Sequence, residues 1–215
     1  MIDVILPCLN EATALPWVLD RIDGELGAIV VDNGSTDASP KIAAEHGAHV
    51  VHCAIRGYGA ACHAGLLAAS ADFVAFCDCD CSIDPAIITN LAAPVIAGST
   101  DLVVGRRRPE RFTAWPVHAR LANVALAWQL RRLTGAPVYD VGPLRIARRQ
   151  SLIDLDQQDR RSGYPLETVL LAAKAGWQIE QADIGYRPRD GRSKVTGTMR
   201  GSLQAVRDMS AALAR

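Results

Sequence analysis

Short apolar runs alternate with helical patterns through the first half of the chain. The runs favour strands and cover residues 4–9, 28–32, 49–53, 72–77 and 101–105. Each of the first four is followed by a stretch with helical spacing, as in ALPWVLDRI and DPAIITNLAAPVIAG. Strands that alternate with helices predict an α/β fold, a single Rossmann-like domain whose mostly parallel sheet is flanked by helices.

The second half of the chain shows a less regular pattern. Helical spacing predicts helices over 117–133 and 164–175, and residues 177–184 can form a further strand. The tail 198–215 can form an amphipathic helix. With 215 residues, the chain is long enough for one sizeable core, so we expect a single domain.

Polar residues follow the predicted strands at their carboxyl ends. In a parallel sheet these ends meet at one edge, and ligands of α/β proteins bind just outside it. The residues at these positions are Asn10, Glu11, Asp32, Asn33, Gly57, Asp78, Asp80 and Arg106. The pattern therefore predicts one binding site that is built from these loops.

Asp78 and Asp80 place two carboxylates one residue apart at the end of a buried run, in VAFCDCDCSIDP. Two like charges there cost free energy unless a cation meets them. Side chains at i and i+2 of an extended segment point to the same side, so both can approach one Mg²⁺ or Mn²⁺ ion that substrate phosphates share. Alternatively, one aspartate of the pair caps the N-terminus of a helix and the other is solvated, and Asp84-Pro85 would itself be a good helix start.

Composition narrows the class of protein. The 23 basic residues balance the 23 acidic ones, which argues against a general nucleic-acid binder. No apolar run approaches the length of a membrane span and no signal segment precedes the first strand, so we expect a cytoplasmic protein.

The six cysteines lack paired C-x-x-C spacing, and we expect reduced, buried thiols. A dinucleotide-binding oxidoreductase is excluded, because the first strand leads to PCLNEA and not to G-x-G-x-x-G.

Four motifs, in order along the chain, resemble those of the family 2 glycosyltransferases. ILPCLNEA at 5–12 resembles the P-x-x-N-E loop, and VVDNGSTD at 30–37 resembles the V-D-D-G-S-T-D signature. RGYGAACHAG at 56–65 resembles the G-x-G-x-A segment, and DCD follows as the D-x-D. The resemblance implies the A-type glycosyltransferase fold, with a nucleotide-sugar-binding half at 1–110 and an acceptor-binding half at 111–215.

The resemblance also implies a donor site for a nucleotide diphospho-sugar. Asp32 would accept hydrogen bonds from the nucleoside, and Gly57 and Gly59 would let the backbone approach the nucleotide closely. The family usually has aspartate where this chain has Asn33, so the choice between uridine and guanosine stays open. The donor residues expected from the motifs are Pro7, Leu9, Asn10, Glu11, Asp32, Asn33, Gly57, Tyr58, Gly59, Asp78, Cys79 and Asp80.

A divalent metal, Mn²⁺ or Mg²⁺, is the cofactor that the resemblance implies. Polyprenyl-phosphate members of the family continue the D-x-D with a metal-binding glutamine, and Ser82 stands at that position here. A hydroxyl is a weaker ligand or acts through water, so the affinity for the metal can differ. The implied metal ligands are Asp78, Asp80 and Ser82.

The acceptor is implied by RPRDGRSK at 187–194, which resembles the R-x-x-G-x-S-K loop of polyprenyl-phosphate glycosyltransferases, the group of dolichyl-phosphate mannose synthase. Arginine suits phosphate because its planar fork donates two hydrogen bonds. The implied phosphate site consists of Arg106, Arg120, Arg189, Ser193 and Lys194. A phosphate already carries anionic oxygens, so the inverting transfer that the resemblance implies would need no base. The metal at Asp80 would take the charge of the leaving diphosphate, while residues such as Arg189 and Lys194 would hold the acceptor.

Two other functions stay open. A soluble hydroxyl acceptor would need a general base, for which Asp140 and Glu167 are the candidates. A loop cap and a helix-dipole partner are the alternative roles for these two carboxylates. A non-catalytic nucleotide-sugar sensor is disfavoured because the D-x-D and the basic loop occur together.

A lipid-linked acceptor would require the protein to dock peripherally at the inner face of the cell membrane. The predicted 198–215 helix is a candidate for this contact, because its polar face carries basic residues that suit an anionic surface. These residues are Arg200, Arg207 and Arg215. Alternatively, the helix packs on its own domain.

Overall fold

The computed structural model describes residues 1–111 and 114–190. Within these residues seven strands form one sheet, namely β1 (Ile2–Cys8), β2 (Leu26–Asp32), β3 (His49–His52), β4 (Phe73–Phe76), β5 (Leu102–Pro109), β6 (Arg145–Arg148) and β7 (Ile179–Tyr186). The helices are α1 (Leu15–Leu19), α2 (Ser39–Glu45), α3 (Tyr58–Ala68), α4 (Ile88–Ile96), α5 (Val117–Thr134), α6 (Arg149–Asp154) and α7 (Tyr164–Lys174). The predicted tail helix 198–215 lies outside the described residues.

The sheet runs in the order β3-β2-β1-β4-β6-β5-β7. Strands β1, β2, β3 and β4 pair in parallel, and β5 pairs in parallel with β7. Strand β6 alone among the described strands runs antiparallel to both of its neighbours, β4 and β5. The predicted α/β fold with a mostly parallel sheet is therefore confirmed.

The predicted elements of the first half agree with the structure to within a few residues, and α5 and α7 match the two helices predicted in the second half. The last predicted strand is displaced by two residues, because β7 covers Ile179–Tyr186. Strand β6 and helix α6 were not predicted. The reason is chemical, since β6 contains Arg145, a charged residue that is only 1% exposed in the middle of the sheet.

The core has two layers, one on each face of the sheet. The alternation of side chains along β1 separates them, because Ile5 packs on one face and Val4 and Leu6 pack on the other. Helices α3, α6 and α7 cover the face of Ile5, and helices α1, α2 and α4 cover the opposite face. Among the helices that the structure describes, none combines the length and apolar character of a membrane-spanning segment.

The strands β1, β2 and β4 end at the same edge of the sheet. Just beyond the ends of β2 and β4, backbone hydrogen bonds hold the first loop residues to β1, from Asn33 N–H to Cys8 O at 2.9 Å and from Cys77 N–H to Ile5 O at 3.0 Å. The loops that carry the polar motifs of the first half therefore lie side by side, which is what a shared ligand site requires.

Helix α3 approaches the sheet closely at Gly65. A Cβ atom at this position would lie 2.4 Å from Ile5 Cγ2 and 2.9 Å from Val31 Cγ2, in the fully buried core. We expect Gly65→Ala to lower the free energy of unfolding by about 1–3 kcal/mol, because neither β-branched neighbour can move away. Urea denaturation measures this. Leu67→Ala on the exposed side of the same helix is the control, and an equal loss in both variants would contradict the close packing.

Candidate active site

A cavity of about 670 Å³ opens at the carboxyl edge of the strands. One side consists of the loops after β1, β2 and β4 and the start of α3, and the other consists of α5 and the segment after β7. Its size is that of a site for a small organic ligand or cofactor. The expected donor residues that line it are Pro7, Leu9, Glu11, Asn33, Gly57, Tyr58, Asp78, Cys79 and Asp80.

Asp80 is buried at the wall of this cavity, with 3% of its surface exposed. Its Oδ1 atom accepts a hydrogen bond from Ser82 N–H at 3.0 Å, which fixes the turn of the D-x-D loop. Its Oδ2 atom accepts from Arg189 Nε at 2.9 Å and also contacts Arg189 Nη2. The structure thus brings together a carboxylate and an arginine that lie 109 residues apart in sequence.

Asp78 lines the same cavity but forms no ion pair within 4.0 Å of the described side chains. Burial raises the pKa of Asp78, while the positive charges of Arg189 and Arg107 act in the opposite direction. The carboxylate of Asp78 is therefore costly to keep charged, as expected for a group that a further positive charge would stabilise.

The D-x-D loop offers oxygen atoms to a hard cation. Within residues 1–111 and 114–190, no group of three or more His, Cys, Asp or Glu side chains is arranged to hold a metal ion. Asp78 and Asp80 nevertheless supply two carboxylates, and the buried Ser82 Oγ has no hydrogen-bond partner among the described atoms. A Mn²⁺ or Mg²⁺ ion that takes its remaining ligands from a diphosphate fits this set.

The cysteines around the D-x-D are poor metal ligands. Burial raises the pKa of Cys77 and raises that of Cys81 to about 11, and hydrogen bonding with Cys8 raises the pKa of Cys79. The thiol of Cys79 instead donates to Pro7 O at 3.0 Å. Since only the thiolate binds metal well, these side chains act as small buried groups.

Asn33 connects β2 to the loop before α3. Its Nδ2 atom donates to Cys53 O at 3.1 Å and to Ile55 O at 2.7 Å, and its Oδ1 atom accepts from Gly57 N–H at 2.8 Å. Both polar ends of the amide are used, so Asn33 shapes the cavity wall through the backbone that it holds.

Three of the expected donor residues do not line the cavity, namely Asn10, Asp32 and Gly59. Asn10 Oδ1 accepts a hydrogen bond from Thr36 N–H at 2.7 Å, so its side chain is used between two loops. Asp32 is 7% exposed, and its Oδ1 atom accepts from Ser35 N–H at 2.9 Å. Its Oδ2 atom lies 3.4 Å from His52 Nδ1. These residues support the loops around the site.

The glycines before α3 allow a close approach, but to the chain itself. At Gly57, φ is +144° and a Cβ atom would lie 2.1 Å from Arg160 O. At Gly59, a Cβ atom would lie 2.8 Å from Tyr164 Cβ, and the Gly59 N–H donates to Arg161 O at 3.0 Å. The structure thus supplies a packing reason for both glycines that sequence analysis did not foresee.

The expected acceptor arginines are divided by the structure. Arg189 lines the cavity, whereas Arg106 and Arg120 do not. The Arg106 side chain lies 4.0 Å from Asp183 Oδ1 and 5.3 Å over the ring of Tyr139, beside a separate small cavity. Ser193 and Lys194 lie outside the described residues.

Arg107 lines the cavity, whereas sequence analysis had proposed its neighbour Arg106 for the site. Side chains alternate along β5, so Arg107 points to the side opposite Arg106. Its Nη2 and Nε atoms donate to Asp140 Oδ1 and Oδ2 at 2.7 and 3.0 Å, and the guanidinium lies 3.8 Å over the ring of Trp115. Neither Arg107 nor Trp115 was among the expected site residues. The run of three arginines in GRRRP was the available signal, but it does not show which face of β5 meets the cavity.

Asp140 and Glu167, the two candidate bases, do not line the cavity. Both oxygens of Asp140 accept hydrogen bonds from Arg107, and Asp140 is 3% exposed. Glu167 Oε2 accepts from the backbone N–H groups of Gln158 and Asp159 at 3.1 and 2.7 Å. Asp140 thus holds an arginine and Glu167 holds a loop.

The wall of the cavity formed by α5 and the loops beside it is largely apolar. Its apolar side chains are Ala114, Trp115, Pro116, Ala119, Ala122, Leu126, Val141 and Pro143, and α5 adds two polar ones, His118 and Asn123. Arginines stand at the boundary between this wall and the donor side, namely Arg56, Arg107, Arg161 and Arg189. The site therefore combines a cationic centre with an apolar wall.

The fold and site together are those of an enzyme that handles nucleotide-activated sugars. The sequence profile of Glycosyl transferase family 2 matches residues 3–155. The chain belongs to this family, and it is a glycosyltransferase.

Similar proteins and solved structures support the assignment to this family. An uncharacterised glycosyltransferase of Mycobacterium tuberculosis is 49% identical over 96% of this chain and 95% of its own length. A dolichyl-phosphate hexose transferase of Haloferax volcanii is 32% identical over 89% of this chain and 85% of its own. Among solved structures, glucosyl-3-phosphoglycerate synthase of M. tuberculosis with Mn²⁺, UDP and its product is 26% identical, with a TM-score of 0.75 over 99% of this chain and 78% of that one.

The pH dependence of stability tests the structural role of Asp32. Burial alone would raise the pKa of Asp32, but hydrogen bonds from Ser35, His52 and the Gly34 backbone outweigh burial and hold it below its ordinary value of 3.8. Because the pKa of Asp32 is lower in the folded state than in the unfolded state, its charge stabilises the fold above the unfolded pKa. This contribution is lost as the pH falls through the folded pKa. Asp32→Asn should therefore destabilise the protein at neutral pH, and the difference should shrink below about pH 4.

Urea denaturation at both pH values measures the effect of Asp32→Asn, with the exposed Asp23→Asn as control. A loss of the same size at neutral and at acid pH would contradict the role of the charge.

The pair of Arg107 and Asp140 tests the second structural role. Asp140→Ala would leave a guanidinium whose side chain is only 14% exposed without its bidentate partner, so we expect a loss of about 3 kcal/mol or more in the free energy of unfolding. Asp183→Ala is the matched control, because Asp183 pairs with Arg106 and Arg108, which belong to β5 like Arg107, but is 55% exposed. We expect its free energy of unfolding to fall by less than about 1 kcal/mol. Equal effects in urea denaturation would refute the structural role of Asp140.

Proposed function

We propose that the protein transfers a hexose from a nucleotide diphospho-sugar to polyprenyl phosphate, with inversion and with the help of a divalent metal. The observation that carries the acceptor is the pairing of arginines with an apolar wall in one cavity. Polyprenyl phosphate complements both features, because its phosphate is an anion that arginines bind and its prenyl chain is a hydrocarbon that packs on an apolar wall.

The donor side is supported by the loops after β1, β2 and β4. Glucosyl-3-phosphoglycerate synthase, which has the same fold, is known in complex with UDP and either Mn²⁺ or Mg²⁺. We place the nucleotide of this protein along Pro7, Leu9 and Asn33, with its diphosphate towards Asp78 and Asp80. Uridine and guanosine donors are both compatible with this placement.

A divalent cation held by Asp78 and Asp80, with Ser82 nearby, would stabilise the charge on the leaving diphosphate. Arg189 reaches the same place from the acceptor side, since it contacts Asp80 Oδ2. It can therefore bring an acceptor phosphate up to the sugar while its positive charge faces the developing diphosphate.

The cavity wall formed by α5 offers no carboxylate as a base, and His118 is the imidazole that it contributes among the described residues. The carboxylates that line the cavity, among the residues described, are Glu11, Asp78 and Asp80, and all three come from the donor loops. Asp140 and Glu167 have their oxygens engaged elsewhere. A hydroxyl acceptor would need a base, for which His118 is the candidate in the cavity lining, whereas a phosphate oxygen is already an anion at neutral pH and needs none.

A soluble phosphorylated acceptor is the second candidate. It is favoured by the likeness to glucosyl-3-phosphoglycerate synthase, whose structures contain phosphoglyceric acid. The apolar wall argues against this candidate, because a small acid with two anionic groups has nothing to place there. A lipid-linked acceptor would in turn locate the reaction at the cytoplasmic face of a membrane, and we propose peripheral attachment there.

The experiment that tests this function follows release of nucleoside diphosphate from UDP- and GDP-sugars in the presence of Mn²⁺. Each donor is offered with no acceptor, with detergent-solubilised polyprenyl phosphate, or with 3-phosphoglycerate. We expect release to require one donor and the polyprenyl phosphate, and to stop when EDTA removes the metal. Release with phosphoglycerate but not with the lipid would favour the second candidate.

Asp80→Asn tests the D-x-D within the same assay. The change removes the charge that we assign to metal binding, so we expect turnover to fall by at least about a hundredfold. Asp72→Asn is the matched control, because Asp72 is exposed at the opposite end of β4. Near-normal turnover of Asp80→Asn, with circular dichroism unchanged in both variants, would disprove the metal site.

A further inference from the structure

Helix α5 presents an exposed row of large apolar side chains. These positions are three or four residues apart, so they lie on one face of the helix and extend over about 17 Å. We name them the α5 stripe, which consists of Val117, Leu121, Val124 and Trp128, at 51%, 65%, 58% and 54% exposure. A contiguous apolar surface of this kind marks a contact with another molecule or with lipid.

The other side of α5 already has a role in the fold. Ala119, Ala122 and Leu126 face the cavity, and Ala127 and Leu130 are fully buried in the core. The helix is therefore apolar on both sides, although only one side is covered by described residues. The α5 stripe needs a separate explanation.

The charges on α5 all have the same sign. The helix contains three arginines and no aspartate or glutamate. At 100° per residue, Arg120 and Arg131 lie on one side of the stripe and Arg132 lies on the other. The guanidinium of Arg132 stands 5.5 Å from the ring of Trp128, at the edge of the stripe. An apolar face with a tryptophan and flanking arginines is the composition of helices that lie in the interface of a bilayer.

We propose that the α5 stripe docks the protein on an anionic lipid bilayer. This proposal rests on the proposed function in one respect, because it gives polyprenyl phosphate a route from the membrane to the cavity beneath the same helix. The side chains of the stripe enter the boundary of the headgroups, and Arg132 at the edge of the stripe contacts lipid phosphates, whereas Arg131 donates to Val138 O at 2.9 Å within the fold.

Charge argues against two other occupants of the stripe. The remaining chain, 191–215, carries five basic residues and one acidic residue, so it would bring positive charge to positive charge. A second copy that paired its stripe with this one would do the same, since neither helix has an acidic side chain. Anionic lipid is the partner of opposite sign.

Vesicle co-sedimentation tests the docking surface. Wild-type protein is mixed with vesicles of phosphatidylcholine alone or of phosphatidylcholine with phosphatidylglycerol, and we expect binding to the second kind that weakens with salt. The variant Leu121→Gln/Trp128→Gln should bind at least about tenfold more weakly, because two exposed apolar side chains are lost from the interface. Its melting temperature should not change, since both side chains are exposed in the fold.

The control is Leu67→Gln/Ile96→Gln, which removes two exposed apolar side chains (54% and 47%) from α3 and α4 and should bind like wild type. Failure of the wild type to bind anionic vesicles, or equal binding by all three proteins, would overturn the docking surface. A short, water-soluble prenyl phosphate separates this proposal from the proposed function. Transfer to it in solution without vesicle binding would overturn the docking surface alone. Vesicle binding without transfer to any prenyl phosphate would overturn the proposed function alone.

Discussion

The two halves of the active site are held together by backbone hydrogen bonds between the D-x-D loop and the segment after β7. Asp190 N–H donates to Asp80 O at 3.0 Å, and Arg187 N–H donates to Ser82 O at 2.9 Å. These bonds involve no side chain, so the path of the chain itself carries Arg189 to the Asp80 carboxylate. The meeting of the Asp80 carboxylate with Arg189, and with it this wall of the cavity, depends on this pairing.

A second constraint acts at Asn33, where the chain departs from the aspartate that the family motif suggests. The amide donates to two backbone carbonyls, of Cys53 and Ile55, and accepts from the N–H of Gly57. A carboxylate at the same place would turn an oxygen towards two carbonyl oxygens and would require these loops to move. The asparagine is thus explained by the loops it joins, and it says little about the nucleobase.

The sequence predicted most of the fold, and which loops meet at the cavity, because both depend on local patterns. Alternating strands and helices fix which loops share an edge, and that is enough to place Asp78 and Asp80 in one cavity. Contacts between segments that are distant in sequence could not be predicted from local patterns. The alternation along β5 puts Arg106 and Arg107 on opposite faces, but only the packed structure shows that Arg107 meets the cavity and Asp140. Strand β6 was not predicted because Arg145, which is buried among aromatic rings, interrupts the apolar pattern of the strand.

The same electrostatics relates the donor and acceptor sides. Arg189 neutralises Asp80 in the structure, and a divalent cation at the D-x-D would compete with it for the same negative charge. A cation that prevailed would weaken the hold of Asp80 on Arg189, and the guanidinium would then be available to a phosphate. Asp78 favours the cation in this competition, because it adds a second negative charge that no described side chain pairs within 4.0 Å. Under the proposed function, binding of the donor with its cation would thus make Arg189 available to the acceptor phosphate, by an exchange of partners at a single carboxylate.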